Sequence, residues 1–349
     1  MNTNSKPTLN LIKELPAAIG EINTVAISPD LNWIASAGSR IKNNYKSQPY
    51  SWSLNLYDRS LKNKQKFNLA EINSWQPHDS DILSISFSLD STKLLVGASL
   101  YQSKSRISLS CWHLNHEPID LNMSSTDCYI SDLICHPDGE TFFTPGRYHG
   151  MKMIQQYSLD NLELLQQWTP KNEKMTTAND IRAFVISLSG KQLYAAGVEG
   201  IQSWDTNTKL QNPSIFFYPK LDSENELINF GSYNDEVRAL ALSADDRILA
   251  SGSEQRIRIW NALTGELLQS FYAHADWVWD LAITPNAQFL ISAGDTTIKF
   301  WDLATGKKLN TIDAHESQIR SIALSCDGKM LVSGAADGIV KVWEVQNII

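Results

Sequence analysis

Four cysteines in 349 residues, Cys111, Cys128, Cys135 and Cys326, stand without a paired spacing, which argues against a disulfide framework and for reduced thiols. Nowhere does the chain reach the roughly 18 consecutive apolar residues that a membrane-spanning helix needs, and Met1-Asn2-Thr3-Asn4-Ser5-Lys6-Pro7 lacks the apolar core of a secretory signal. Basic residues are outnumbered, 30 to 38, at a formal net charge of -8, so no overall electrostatic drive toward nucleic-acid phosphates exists. A Gly-rich phosphate loop ahead of a helix, a Gly-x-Ser-x-Gly elbow and any convincing helical periodicity are also missing. With them go the usual starting points for nucleotide-dependent and serine-hydrolase chemistry. The expectation is a cytoplasmic protein without membrane association, cofactor, metal or catalytic residues.

What the chain has is one pattern used seven times: a polar turn, an apolar strand with small residues, then a strand ending in an aromatic and usually an acid. The turns are Ser28-Pro29-Asp30, Ser88-Leu89-Asp90, His136-Pro137-Asp138-Gly139, Ser187-Leu188-Ser189-Gly190, Ser243-Ala244-Asp245, Thr284-Pro285-Asn286 and Ser325-Cys326-Asp327-Gly328. They recur 60, 48, 51, 56, 41 and 41 residues apart. The aromatics that close the units are Tyr57, Trp112, Tyr157, Trp204, Trp260, Trp301 and Trp343. The last two spacings suit a repeat that builds one four-stranded propeller blade, and the longer ones are that repeat with loops added.

Two later units are the most complete: Ala273-His274, Ser292, Asp295 and Trp301-Asp302, then Ala314-His315, Ser333, Asp337 and Trp343-Glu344. On these residues the chain resembles the WD40-repeat family, over about residues 9 to 349. The resemblance implies an all-β fold, a closed seven-bladed β-propeller of four-stranded antiparallel blades. It also implies structural tetrads, in which Asp accepts from the imidazole, the imidazole contacts the Ser and the Ser contacts the indole N–H. Earlier units depart from the pattern. Unit five has Tyr233 for the His and Glu254 for the Asp, unit four has Ala195 for the Ser and Glu199 near the Asp position, and unit two keeps His78 and Trp112 but has Val96 for the Ser. Because the sequence stops soon after Trp343-Glu344, the alternating stretch Leu9 to Leu15 is expected to supply the outer strand of the last blade. Residues 1 to 8 are then a disordered tail and 9 to 349 a single propeller domain.

From turn to closing aromatic, units four, five and six take 17 residues, whereas units one, two and three take 29, 24 and 21. The additions fall at Arg40 to Ser51, Tyr101 to Ser105 and Arg147 to Gly150, with a fourth insertion at Tyr218 to Asn234. In a WD-like blade all four lie on one face, the arrangement of a binding rim. In such propellers the residue just after the apolar start of the first strand points into the mouth of the central channel. Here those residues are Asn23, Leu83, Ser131, Arg182, Arg238, Trp279 and Arg320. Guanidinium forks and an anchoring indole predict a site for an acidic or phosphorylated segment of a protein partner. The competing reading has the arginines pairing with Glu199, Glu254, Asp235 or Asp280 and holding neighbouring blades in register. Trp277 is either an exposed rim anchor or an inter-blade packing residue, and Tyr45 and Tyr50 extend the candidate partner surface.

Other chemistry is thin. Cys111, His113 and His116 have a metal-like spacing without an evident fourth ligand. Arg40, Lys42 and Lys46 with Tyr45 and Tyr50 form the one local patch suited to RNA. A hydrolase or isomerase using the funnel is the rival class, and it requires carboxylates converging there. The favoured expectation is a noncatalytic interaction scaffold, monomeric as an isolated domain.

Overall fold

The computed structural model describes residues 6–16, 20–39, 53–58, 63–67, 80–100, 108–114, 130–148, 151–168, 181–197, 200–207, 211–216 and 236–348. Every regular element among them is a strand. The N-terminal strand is β1 (Thr8–Pro16). Unit one is β2 (Ile22–Ile27), β3 (Trp33–Gly38), β4 (Ser53–Asp58) and β5 (Asn63–Phe67), and unit two is β6 (Ser80–Phe87), β7 (Lys93–Leu100) and β8 (Ser108–His113). Unit three is β9 (Ile134–Cys135), β10 (Thr141–Tyr148), β11 (Met151–Ser158) and β12 (Leu164–Trp168). Unit four is β13 (Ile181–Ile186), β14 (Gln192–Gly197), β15 (Gly200–Asp205) and β16 (Gln211–Phe216). Unit five begins with β17 (Ala239–Leu242), β18 (Ile248–Gly252) and β19 (Glu254–Asn261), and runs into β20 (Leu267–Ile283). Unit six continues from β20 through β21 (Phe289–Gly294), β22 (Thr297–Asp302) and β23 (Lys308–Asp313), and unit seven is β24 (Ile319–Leu324), β25 (Met330–Ala335) and β26 (Ile339–Gln346).

Within each unit, successive strands pair antiparallel in sequence order. Units five and six share one sheet because β20, 17 residues long, leaves one as its outer strand and enters the next as its first. β1 lies against β26, from Thr8 opposite Gln346 to Pro16 opposite Ile339, so the sheet of unit seven gains its fourth strand from the other end of the chain. The strand starts at Thr8, and the carbonyls of Lys6 and Pro7 accept from Asn347 and Asn310. Residues 6 to 8, expected in the tail, are therefore bonded to the fold. In unit three the extra length sits largely in the strands: β10 and β11 have eight residues each and pair through to Tyr148 opposite Met151.

A four-stranded sheet with apolar residues on both faces must be covered on both sides, and here successive units cover each other. Phe143, Ile154 and Trp168 of unit three pack with Phe184, Leu193 and Trp204 of unit four; Ile22, Val25 and Tyr57 of unit one pack with Val332, Val340 and Val342 of unit seven. Each closing aromatic is buried in the seam with the unit before it, Trp112 against unit one and Trp260 against unit four, for example. The first strands also meet in order: β2 touches β6, β6 touches β9, and so on through β13, β17, β20 and β24, which touches β2.

Leu9 and Leu15 carry β1 into these cores. At about 1.5–3 kcal/mol for each buried leucine, deleting residues 1–16 is expected to cost about 3–6 kcal/mol, whereas deleting 1–5 should leave the melting temperature near that of the intact chain. Two truncations that melt alike would remove β1 from any closing role.

Candidate functional site

Five of the first strands lose register at one place, between Ile22 and Thr24, Ile82 and Ser84, Ile181 and Ala183, Val278 and Asp280, and Ile319 and Ser321. The residues skipped are Asn23, Leu83, Arg182, Trp279 and Arg320. A β-bulge leaves its extra residue out of the ladder and re-aims its side chain. Ser131 and Arg238 hold the corresponding place ahead of β9 and β17. All seven line one cavity of about 560 Å³.

At these positions and the residues after them, contacts cross every seam. Asn23 Nδ2 donates to the carbonyl of Ile82 at 2.9 Å. Ser84 Oγ accepts from Leu133 N at 3.1 Å and donates to Asp132 Oδ1 at 2.9 Å. Asp132 Oδ2 in turn accepts from Phe184 N at 2.7 Å. Asp280 Oδ2 accepts from Ile322 N at 2.8 Å, and Ser321 Oγ accepts from Val25 N at 3.2 Å, linking unit seven to unit one. Burial pushes the Asp132 carboxyl up to about 7 and that of Asp280 up to about 6, against the pull of these donors.

In units four and five the residue after the bulge is an alanine, Ala183 or Ala239, and there an arginine makes the crossing. Arg182 Nε donates to Glu236 Oε1 at 2.5 Å, and Arg238 Nη2 donates to Glu236 Oε2 at 3.3 Å. Arg238 also lies over Trp277 and Trp279, 4.1 and 4.7 Å from the ring centroids, and Arg320 lies over Trp279 at 4.2 Å. Arg320 pairs with Glu21 at 3.5 Å. The arginines are thus ion-paired, as the competing reading expected, but with Glu236 and Glu21. The sequence reading named neither acid. Of its four candidates, Asp280 is held by the N–H groups of Leu281 and Ile322 and by Ser321, Glu254 is exposed, and Glu199 and Asp235 lie outside the described residues. Tyr45, Tyr50, Tyr218 and Tyr233 also lie outside them, as do the insertions apart from Arg147 and Tyr148 at the end of β10. Trp277 is half-buried against Arg238.

In unit seven His315 Nδ1 meets Asp337 Oδ2 at 3.0 Å, His315 Nε2 meets Ser333 Oγ at 2.8 Å, and Trp343 Nε1 donates to that Oγ at 2.9 Å. Unit six repeats the last two links with His274, Ser292 and Trp301. There Asp295 is 3.5 Å from His274 Nδ1 and accepts instead from Ala275 N at 2.9 Å.

A family model described as WD domain, G-beta repeat matches residues 225–261, 265–302 and 306–344. The chain carries WD40 repeats. Comparison with curated proteins finds no match. WD40 repeats commonly serve as scaffolds for protein–protein interaction.

The matched stretches cover units five to seven, whereas the earlier units solve the same burial problem differently. Trp112 Nε1 donates to Ser110 Oγ at 2.9 Å, a residue of its own strand that stands directly opposite Val96. Tyr157 uses Gln155 in the same way at 3.0 Å. In unit four Ala195 occupies the place of the WD40 serine, and the buried Trp204 Nε1 has no hydrogen-bond partner among the described residues. Ala195 stands opposite Gln202, as Ser292 stands opposite Lys299, so a hydroxyl at 195 falls within reach of the indole. Ala195→Ser is therefore expected to stabilise the chain by about 0.5–1.5 kcal/mol, read in a denaturant melt; no gain would mean that the orphaned indole is not the deficit of this repeat.

The histidines and the seam carboxyls should pull stability in opposite directions with pH. Burial pushes His274 down to about 4 from its usual 6.5, so its contribution is present above pH 6.5 and is lost as pH falls toward 4. Asp132, raised to about 7 from 3.8, contributes stability that is present below 3.8 and is lost as pH rises through 7. Melting temperatures from pH 4 to 8 should show His274→Gln flattening the acid limb and Asp132→Asn flattening the limb near neutrality. The same slopes in both variants as in the wild type would contradict these assignments.

Proposed function

We propose that residues 9 to 349 close as a single seven-bladed propeller and act as a noncatalytic scaffold that takes an acidic or phosphorylated segment of a protein partner at the mouth of the cavity. Support for the closed ring comes from the run of first-strand contacts that returns from β24 to β2, and from cores such as that of Tyr57 with Val340 and Val342, shared between the two ends of the chain.

The observation that carries the functional reading is the convergence of the five skipped residues and their counterparts Ser131 and Arg238 on one concavity. Three of them are arginine and one is tryptophan, the residue types that dominate interface energetics. Aspartates line the same cavity, and the engagement of Asp132 and Asp280 in hydrogen bonds across the seams supports a framework role for them. Cys111, Cys135 and Cys326 are free thiols, in keeping with a reducing, cytoplasmic setting. A monomeric isolated domain completes the reading.

Random-peptide display on the intact chain tests it. Enriched peptides are expected to be rich in acidic residues, to release as salt is raised, and to photo-crosslink through a benzophenone residue placed at Leu83 but not through one at the exposed Leu263. Enrichment of neutral or basic peptides, or crosslinking at Leu263 alone, would move the partner surface away from the mouth.

A further inference from the structure

Resting on that reading, we propose that Arg238, Trp279 and Arg320 form one anion slot within the mouth, which takes a single phosphoryl or carboxylate group of the bound segment, and that Arg182 is framework. The three arginines look alike in sequence, each at the same place of its first strand, but their surroundings differ. A residue at this position reaches the residue two before the skipped position of the next unit: Arg182 meets Glu236, Arg238 meets Trp277 and Arg320 meets Glu21. Arg182 therefore finds a buried carboxylate, while Arg238 finds an indole and only the second oxygen of an acid already shared with Arg182. Arg320 has an ion pair at 3.5 Å, to an acid nearly half exposed.

Two guanidinium groups then lie against one indole, and their donors are under-used. Among the described residues the buried Nε atoms of Arg238 and Arg320 and the buried Nε1 of Trp279 have no acceptor. Three such N–H groups on side chains packed at one indole, without an acceptor among the described residues, are complementary to an acceptor-only group. Asp280, the next carboxyl along, spends its oxygens on N–H and O–H donors of the seam.

The slot is also held in shape. Arg238 is held against Trp277 and Trp279, and Arg320 against Trp279, contacts that restrict both side chains before an anion arrives. Side-chain exposure of 26% for Arg238 and 25% for Arg320 leaves part of each facing the cavity they line. Planar forks of this kind bind carboxylate or phosphate through paired N–H bonds.

Titration of the intact protein with inorganic phosphate at constant ionic strength, followed by the indole N–H signals in a nitrogen–proton spectrum, tests the slot without a partner. The Trp279 signal, assigned from Trp279→Phe, should move saturably. Affinity should fall at least tenfold in Arg238→Gln and in Arg320→Gln, fall less in Trp279→Phe, which keeps both forks, and stay within threefold in Arg182→Gln, whose loss should appear in the melting temperature. No saturable shift, or equal weakening in all three arginine variants, would overturn the slot. A display-selected peptide that binds Arg238→Gln and Arg320→Gln as tightly as the wild type would overturn it too while leaving the scaffold reading in place. Phosphate bound as expected with no acidic peptide selected would keep the slot and remove the scaffold reading.

Discussion

Coverage of each sheet by its neighbours is the constraint from which the rest of the structure follows. No unit buries both of its faces alone, and the large side chains are placed accordingly: the closing aromatic of each unit sits in the core it shares with the unit before it, Trp301 with Ile257 and Ile259 of unit five, Trp343 with Ile298 and Phe300 of unit six. A fully buried aromatic such as Trp260 or Tyr57 removes a large apolar area from water, and it does so only while the next sheet stays at a fixed angle. That angle brings the first strands into contact. The polar exchanges among Ser84, Asp132, Asp280 and Ser321 are then short because the aromatics have already set the spacing.

From this arrangement the mouth acquires an uneven chemistry. On the side of units one to three the residues at the mouth position are Asn23, Leu83 and Ser131, and the seams close with neutral donors or with the Asp132 carboxyl. From unit four onward they are arginine or tryptophan. The alanines at 183 and 239 explain part of the change: a methyl group neither accepts the N–H of the next strand nor donates across the seam, so the long side chain one residue earlier takes over that role. Arg182 does so through Glu236 and Arg238 through the two indoles. The cationic and aromatic arc is thus a framework solution first, and any recognition is built on residues that already hold neighbouring sheets together.

Much of this was legible in the sequence, because its causes are local and periodic. The turn spacing located the first strands, and counting from each turn selected seven of the residues that line the cavity. The N-terminal strand was visible from the alternation between Leu9 and Leu15. What escaped was whatever depends on the neighbour across a seam. Glu236 and Glu21 gave no signal of their own; the rule that would have found them is the step from a skipped residue to the position two before its counterpart in the next unit, which only packed sheets reveal. Ser110 and Gln155 stand in for a missing partner from their own strands, which a search aligned on the serine of the second strand passes over. In β20 the backbone stays extended through His274-Ala275-Asp276, which fall in a gap of the register between Tyr272 opposite Arg256 and Trp277 opposite Glu254. The apparent equivalence of Asp295 and Asp337 fails for a similar reason: a few tenths of an ångström decide whether the imidazole or a backbone N–H is the donor.

The sharing of residues between framework and mouth has a thermodynamic consequence. Trp277, Arg238, Trp279 and Arg320 form a ladder from unit five to unit seven, and Glu21 carries it into unit one. Under the proposed reading an anion held between Arg238 and Arg320 reaches only the folded arrangement, since the two forks belong to chain segments far apart in sequence, so its binding free energy adds directly to the stability of these seams. Units seven and one are also joined through the backbone, since β1 of the unit-seven sheet leads on to β2, and the joint made without a peptide link is the β1–β26 pair within unit seven. β20 makes units five and six one continuous sheet, so the indoles that face Arg238 sit on a strand shared by both. Anion binding would then strengthen the contacts that set Arg320 against Trp279 on one side and Glu21 on the other.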